Sequence, residues 1–206
     1  MIITDTQYSI VNIYDISDDE IQFCKQLMPE ERRAAVLRLR SADSRRRTIA
    51  GELLARQMIA QQCGISPDSI CFGRSGRGKP FARGLSVEFS VSHSGELVLC
   101  AVSDKPVGAD IEKVRPVKDR LIARVCTQKE LYFVNDRNLS EDEKTKRFFR
   151  VWTGKEAYFK FTGTGITDLG AVCILDDEIS RRLTYFSLGD YAVSIFTHAE
   201  GKVLPR

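Results

Sequence analysis

Histidine is almost missing from these 206 residues: there are only two, which excludes a metal centre built on several imidazoles. The six cysteines, Cys24, Cys63, Cys71, Cys100, Cys126 and Cys173, are scattered, with no C-x-x-C pair and mostly apolar neighbours. That pattern argues against a zinc knuckle or redox motif and for small core residues in a reducing compartment. No apolar run approaches the roughly 20 residues that span a bilayer, and Met1-Ile-Ile-Thr-Asp5 lacks the basic start and apolar run of a secretory leader. Low-complexity segments and flexible linkers are lacking too. The expectation is a soluble, cytoplasmic protein that does not enter membranes. Charge of one sign is not in large excess either. A net charge of +3 suits an anionic ligand without implying nucleic acid.

What is present is a chain long enough for one domain or for two packed halves of about 100 residues each. Tyr8 to Tyr14, rich in Ile and Val, predicts a strand. Ser17 and Glu20 form a capping box ahead of Ile21, Cys24, Leu27 and Met28 at helical spacing. Pro29 opens a second helix reaching Leu39, and Asp43 caps a third that ends at Gly64. A short strand is expected near Ile70 to Phe72, then a glycine-rich loop from Gly73 to Pro80. Val87, Phe89 and Val91 alternate with Glu88, Ser90 and Ser92 as in a half-buried strand. The turn at Ser94-Gly95-Glu96 and the turn ending at Pro106 predict three successive antiparallel strands, the third being Val107 to Glu112. Further on, Thr127 with Glu130 and Ser140 with Glu143 form capping boxes, the second opening a long helix through Lys160. Gly154 inside it costs about 1 kcal/mol relative to alanine, so a packing reason is expected. Strands at Ala171 to Leu175, Leu183 to Leu188 and Tyr191 to Phe196 close the chain. Leu188 to Phe196 loosely echoes Ser94 to Val102, a faint sign of duplication.

The chemistry collects around Val107-Gly-Ala-Asp-Ile-Glu112. In an extended strand Asp110 and Glu112 share one face, opposite Val107, Ala109 and Ile111. Two neighbouring carboxylates repel unless a cation lies between them, and a divalent metal is one answer. An amphipathic edge strand with a wet acidic face is the other. Glu156 and Lys160, four apart on the long helix, read either as a surface ion pair or as a metal ligand beside a phosphate-binding cation. Seven arginines between Arg32 and Arg47 are either solvated helix surface or a phosphate-binding face.

Gly78-Lys79-Pro80, Phe89-Ser-Val-Ser-His-Ser-Gly95, Val107 to Glu112 and Trp152-Thr-Gly-Lys-Glu-Ala-Tyr-Phe-Lys160 occur in this order and spacing. Together they resemble the ordered motifs of the 4′-phosphopantetheinyl transferases of the surfactin-synthetase-activating (Sfp) type, over essentially the whole chain. The pattern departs from the family at Gly154, in the middle of the helix motif, and in the spacing from Pro29 to Arg47.

The resemblance implies an α/β (α+β) pseudo-dimer of two similar halves, each a small antiparallel sheet packed with helices, with the active site in the cleft between them. Residues 1–104 would contact the adenosine and 3′-phosphate of coenzyme A, and residues 105–206 would carry the metal ligands. It implies transfer of 4′-phosphopantetheine from coenzyme A to a serine of an apo acyl or peptidyl carrier protein, releasing adenosine 3′,5′-bisphosphate. Mg²⁺, replaceable by Mn²⁺, would be held by Asp110, Glu112 and Glu156, with Lys155 and Lys160 as cations at the pyrophosphate. Glu130 would activate the carrier serine, although its place in a capping box explains it without chemistry. His93 would meet the 3′-phosphate, Lys79 and Pro80 would flank the adenine with Ser92 nearby, and Arg47 and Arg32 would grip the 3′-phosphate. Trp152 reads as a core or positioning residue. Such a site can form in a monomer. Two rivals are a basic nucleic-acid-binding module using Arg32 to Arg47, and a carrier-binding relative without transfer activity.

Overall fold

A computed structural model describes residues 6–165, 168–198 and 203–206; the N-terminal pentapeptide discussed above lies outside them. The chain runs β1 (Thr6–Asn12), α1 (Asp18–Leu27), α2 (Glu30–Leu37), α3 (Ala42–Cys63), β2 (Phe72–Arg74), β3 (Pro80–Ala82), β4 (Glu88–Ser94) and β5 (Leu97–Ser103). It continues through β6 (Val107–Lys113), α4 (Asp119–Val125), α5 (Gln128–Val134), α6 (Glu141–Thr162), α7 (Asp177–Ser180), β7 (Leu183–Leu188), β8 (Tyr191–Thr197) and β9 (Val203–Pro205). The capping boxes expected at Ser17, Thr127 and Ser140 are all formed, each hydroxyl accepting the amide of the glutamate three residues on. Gly64 and Gly163 end α3 and α6 in the left-handed conformation.

Two three-stranded arrangements repeat one topology. In the first half β5 lies between β4 and β1, and in the second β8 lies between β7 and β6, all antiparallel. Each half has the order strand, long helix, strand, strand, and the long helix is 22 residues in both. The resemblance between Ser94–Val102 and Leu188–Phe196 is therefore a match between the two central strands. Helices α1 to α3 cover one face of the first sheet through Ile49, Leu53, Met58, Phe89 and Val98. Phe148, Val151, Ile174 and their neighbours build a second core beneath α6. A third core lies between the two sheets, where Leu99, Ala101, Val107, Ala109, Ile111, Val193 and Ile195 meet. Each fully buried Leu, Ile or Val there contributes about 1.5–3 kcal/mol, so the inter-sheet core holds the two halves together.

Four local expectations are corrected. Ser41 caps α3, its hydroxyl accepting the Ser44 amide, while Asp43 sits in the first turn, where a negative charge suits the helix dipole. The first strand of the Gly-rich hairpin begins at Phe72, since Pro67–Ser69 is a 3₁₀ turn leading only to Ile70. Ala171 to Leu175 is not a strand; the Ile174 amide is satisfied by the Glu130 carboxylate, which removes the need for a ladder. Finally, β6 does not pair with β5. Both edges of β5 are already taken by β4 and β1, so β6 opens the second sheet and pairs with β8.

Candidate functional site

Strands β4 and β6 lie side by side in the same direction without a backbone ladder between them. Serines at alternate positions of β4 fill the gap: Ser90 Oγ accepts the Ala109 amide at 2.9 Å, and Ser92 Oγ donates to Asp110 Oδ1 at 2.6 Å. Ser94 Oγ donates to Glu112 Oε2 at 2.7 Å and accepts the Lys113 amide at 3.1 Å. Helix α6 crosses the same face of β6, and Gly108 permits the approach: a Cβ there would run into the Ala157 carbonyl oxygen and the Phe161 amide nitrogen. Gly154 likewise has its packing reason, since a Cβ would stand 3.0 Å from Leu183 Cδ2. Trp152 packs against Phe148 in the second core.

This crossing brings Glu156 and Lys160 to the acidic strand. Lys160 Nζ donates to Asp110 Oδ1 at 2.7 Å and to the Ala109 carbonyl at 3.2 Å. Asp110 is 3 % exposed, and its second oxygen, Oδ2, is buried with no hydrogen-bond partner. Burial, then the Asp110 charge, raises the Glu156 carboxyl from 4.5 to about 7, against the pull of Lys160. Burial also raises Glu112, opposed by the Ser94 hydrogen bond and reinforced by Asp110. The three acids therefore share one electrostatic environment. Among the described residues, no three Asp, Glu, His or Cys side chains are yet placed to hold a metal ion together, and the Lys160 ammonium supplies the positive charge at Asp110.

Two cavities adjoin at Pro80, Phe89 and Val91. The larger, about 870 Å³, is lined by Arg32, Arg56, Arg74, Arg83, Cys71 and His93 among others. The smaller, about 330 Å³, carries Arg77, Lys79, Glu156 and Lys160. Arg32 reaches Glu52 at 3.4 Å, and Glu52 also holds the buried Arg56 at 3.1 Å. Lys79 pairs with Glu88 at 3.5 Å. His93 turns one side to solvent; desolvation of the rest of its ring, helped by Arg47 and Lys160, lowers its pKa. Arg47 lies near His93, but its guanidinium donates to the Gly95 carbonyl at 2.7 Å and to Ser44 at 3.1 Å. Ser92, expected near an adenine, is instead turned to Asp110.

Glu130 and Lys155 are not at this site in the way the resemblance implies. Both are 0 % exposed and form an ion pair at 2.6 Å. Lys155 Nζ also donates to the Val125 and Leu169 carbonyls, each at 2.6 Å. Glu130 accepts from the Thr127 amide at 2.7 Å and the Ile174 amide at 2.8 Å. With every polar atom engaged and no solvent contact, neither side chain is offered to a ligand or to a serine hydroxyl. Thr127 apart, which local spacing pairs with Glu130, the contacts of this pair with Val125, Leu169 and Ile174 join stretches distant in the chain, which no reading of local spacing could have assembled. The arginine cluster is likewise partly occupied: Arg45 binds the Leu39 carbonyl, and Arg46 binds the Ile13 and Ile16 carbonyls and Asp18. Such internal use leaves less of a phosphate-tracking face than the sequence suggests. Glu52 and Arg56 were missed, although a Glu and an Arg four apart in the apolar stretch of α3 were a legible signal.

The sequence comparisons agree with this architecture. A model of the 4′-phosphopantetheinyl transferase superfamily matches residues 106–201, and a model described as 4′-phosphopantetheinyl transferase, N-terminal, matches residues 14–105. The chain is 36 % identical over 149 residues to the 4′-phosphopantetheinyl transferase psf-1 of Bacillus pumilus, covering 72 % of this chain and 63 % of that protein. It is 34 % identical over 162 residues to the 4′-phosphopantetheinyl transferase HetI of a Nostoc species, covering 75 % and 68 %. To the 4′-phosphopantetheinyl transferase Sfp of Bacillus subtilis it is 29 % identical over 161 residues, covering 78 % and 71 %. The match spans 63 % of the length of psf-1, just under two thirds. With its two similar halves and an acidic strand at their junction, the chain belongs to the 4′-phosphopantetheinyl transferase superfamily. Within that superfamily it is of the Sfp type.

Proposed function

We propose that this protein is an enzyme that transfers the 4′-phosphopantetheine group from coenzyme A to a serine of an apo acyl or peptidyl carrier protein. In that reaction the serine oxygen gives up its proton to solvent and bonds to the phosphorus bearing the pantetheine, the phosphoanhydride bond breaks, and adenosine 3′,5′-bisphosphate leaves. The observation that carries the reading is the acidic junction of Asp110, Glu112 and Glu156, with Lys160 beside it, where two adjoining cavities bring several cationic side chains. The larger cavity suits a nucleotide in size and charge. Arg32, Arg74, Arg83 and His93 would take up its 3′-phosphate, with Arg47 a short reach behind. Lys79 and Pro80, at the boundary of the cavities, would flank the base.

Asp110, Glu112 and Glu156 would hold Mg²⁺, or Mn²⁺ in its place. The fit rests on the buried, unpartnered Asp110 Oδ2 and on two further carboxyls, Glu112 and Glu156, whose burial disfavours the ionised form and whose charge a cation would offset. When bound, the ion supplies charge stabilisation at the diphosphate. Lys160 would then turn from Asp110 to the phosphate oxygens and keep the leaving group neutralised. Residues 1–104 would serve the nucleotide and residues 105–206 the metal, within a monomer. No helix among the described residues is long and apolar enough to cross a membrane, which is compatible with a cytoplasmic site of action.

The test is incubation with coenzyme A, Mg²⁺ and apo carrier proteins from fatty-acid, polyketide, peptide-synthetase and aminoadipate pathways, with mass spectrometry of the carrier serine. A phosphopantetheine adduct that requires Mg²⁺ and is lost in Asp110→Ala is expected. Carrier binding without an adduct would point to a silent relative. Salt-sensitive nucleic-acid binding with no coenzyme A uptake would overturn the reading altogether.

A further inference from the structure

We propose that Ser92 and Ser94 are positioning residues that fix the two strand carboxylates for cation binding, and that they do so from the opposite half of the molecule. The inference rests on the metal reading of Asp110 and Glu112 given above. Three serines of β4 face β6, but they do different things. Ser90 meets only a backbone group, the Ala109 amide at 2.9 Å. Ser92 and Ser94 each donate to a carboxylate, at 2.6 and 2.7 Å. The Ser94 oxygen is itself held in place, because it also accepts the Lys113 amide at 3.1 Å. The hydrogen is thereby left for Glu112.

The consequence lies in which oxygens remain. Ser92 and Lys160 both bind Asp110 through Oδ1, so the rotamer is set and Oδ2 is the oxygen without a partner. Glu112 is held through Oε2 alone by Ser94. Each acid is thus anchored by one oxygen. An unanchored Glu would have to lose its rotamer freedom when the cation arrives, whereas here that loss is taken during folding. Hydrogen bonds of this kind behind a ligating carboxylate typically change metal affinity by 10–100-fold. Because β4 belongs to the first sheet and β6 to the second, cation affinity also becomes a readout of how the halves are docked.

The test is Mn²⁺ titration followed by electron paramagnetic resonance, with coenzyme A present and no carrier protein, beside thermal melting of every variant. Ser92→Ala and Ser94→Ala should each weaken Mn²⁺ about 10-fold, and Ser94→Thr, which keeps the hydroxyl, should restore affinity. Ser90→Ala serves as the comparator: it should lower the melting temperature while Mn²⁺ affinity stays within about twofold of wild type, since its partner is a backbone amide. Should Ser92→Ala fail to fold, Ser92→Cys, a weaker donor of similar shape, replaces it with the same expectation. Unchanged Mn²⁺ affinity in Ser92→Ala and Ser94→Ala, or an equal loss in Ser90→Ala, would overturn the inference and leave the serines as fasteners between strands. A wild-type protein that takes up no Mn²⁺ beside coenzyme A would overturn the proposed function itself, and this inference with it.

Discussion

Lys160 and Asp110 are joined by a 2.7 Å ion pair on Oδ1 while Oδ2 of the same carboxylate is buried and unpartnered. One positive charge is thus in place where a divalent ion would satisfy both oxygens. Lys160→Met should leave a buried carboxylate unpaired and cost about 2 kcal/mol, reduced from the fully buried case because the lysine is partly exposed. The same variant should bind Mn²⁺ more tightly than wild type when coenzyme A is absent, because no ammonium competes. Calorimetric titration of the two proteins checks this, and equal or weaker binding by the variant would show that the lysine is no competitor.

The Glu130–Lys155 pair makes a separate prediction about stability. Removing either partner strands a charge in a site that is 0 % exposed, at a cost of about 3–5 kcal/mol. Glu130→Gln and Lys155→Met should each lower the urea midpoint strongly, and the double variant should cost less than the sum of the two. A Glu130→Gln protein with wild-type stability and no transfer would instead restore this glutamate to catalysis.

Gly108 is where α6 touches β6. Since an added methyl group would collide with backbone atoms of Ala157 and Phe161, no side-chain adjustment can relieve it. Gly108→Ala should cost about 3 kcal/mol or more, at the upper end of overpacking penalties, whereas Gly76→Ala, with nothing within 4 Å, should be nearly silent. Paired denaturation curves decide between this and a compliant interface.

How far the sequence carried can be judged from these same residues. The three capping boxes were legible because each is closed within three residues. The alternation in Val107 to Glu112 was legible for the same reason: strand period alone puts Asp110 and Glu112 on one face. What was not legible depends on distant partners. Glu130 and Lys155 occupy motif positions, but their burial is decided by Val125, Leu169 and Ile174 converging on them. The pairing of β6 with β8 rather than β5 depends on β1 having already claimed the edge. Ser94 looked like a turn residue, and only the packing of β4 along β6 gives its hydroxyl a carboxylate to hold.

Metal-free protein should lose stability as pH rises across the interval set by Glu156. In the unfolded chain this carboxyl ionises near 4.5 and in the folded protein near 7, so between those values folding takes up a proton. Stability from this group is complete below the lower value, falls as pH rises through the interval, and is flat above it. With chelator present, the denaturation midpoint of wild type should fall more steeply over that interval than that of Glu156→Gln. Parallel profiles would remove Glu156 from the account.

Cys71 offers a probe of the larger cavity that needs no carrier protein. It is exposed and lines that cavity, and Cys63 is exposed elsewhere on the surface. Burial pushes Cys24 and Cys126 up to about 12 and raises Cys100 as well, so those thiols stay protonated and shielded. A maleimide should therefore modify Cys71 and Cys63 in the folded protein, reach the half-buried Cys173 more slowly, and reach Cys24, Cys100 and Cys126 only on unfolding. Adenosine 3′,5′-bisphosphate, which unlike coenzyme A has no thiol to consume the maleimide, leaves roughly a tenth of the sites free at about ten times its Kd by mass action, so labelling of Cys71 should slow about tenfold while Cys63 reacts as before. Equal protection of both cysteines would indicate global tightening, and protection of neither would mean that the nucleotide, if bound, lies outside the cavity bounded by Arg32, Cys71 and His93.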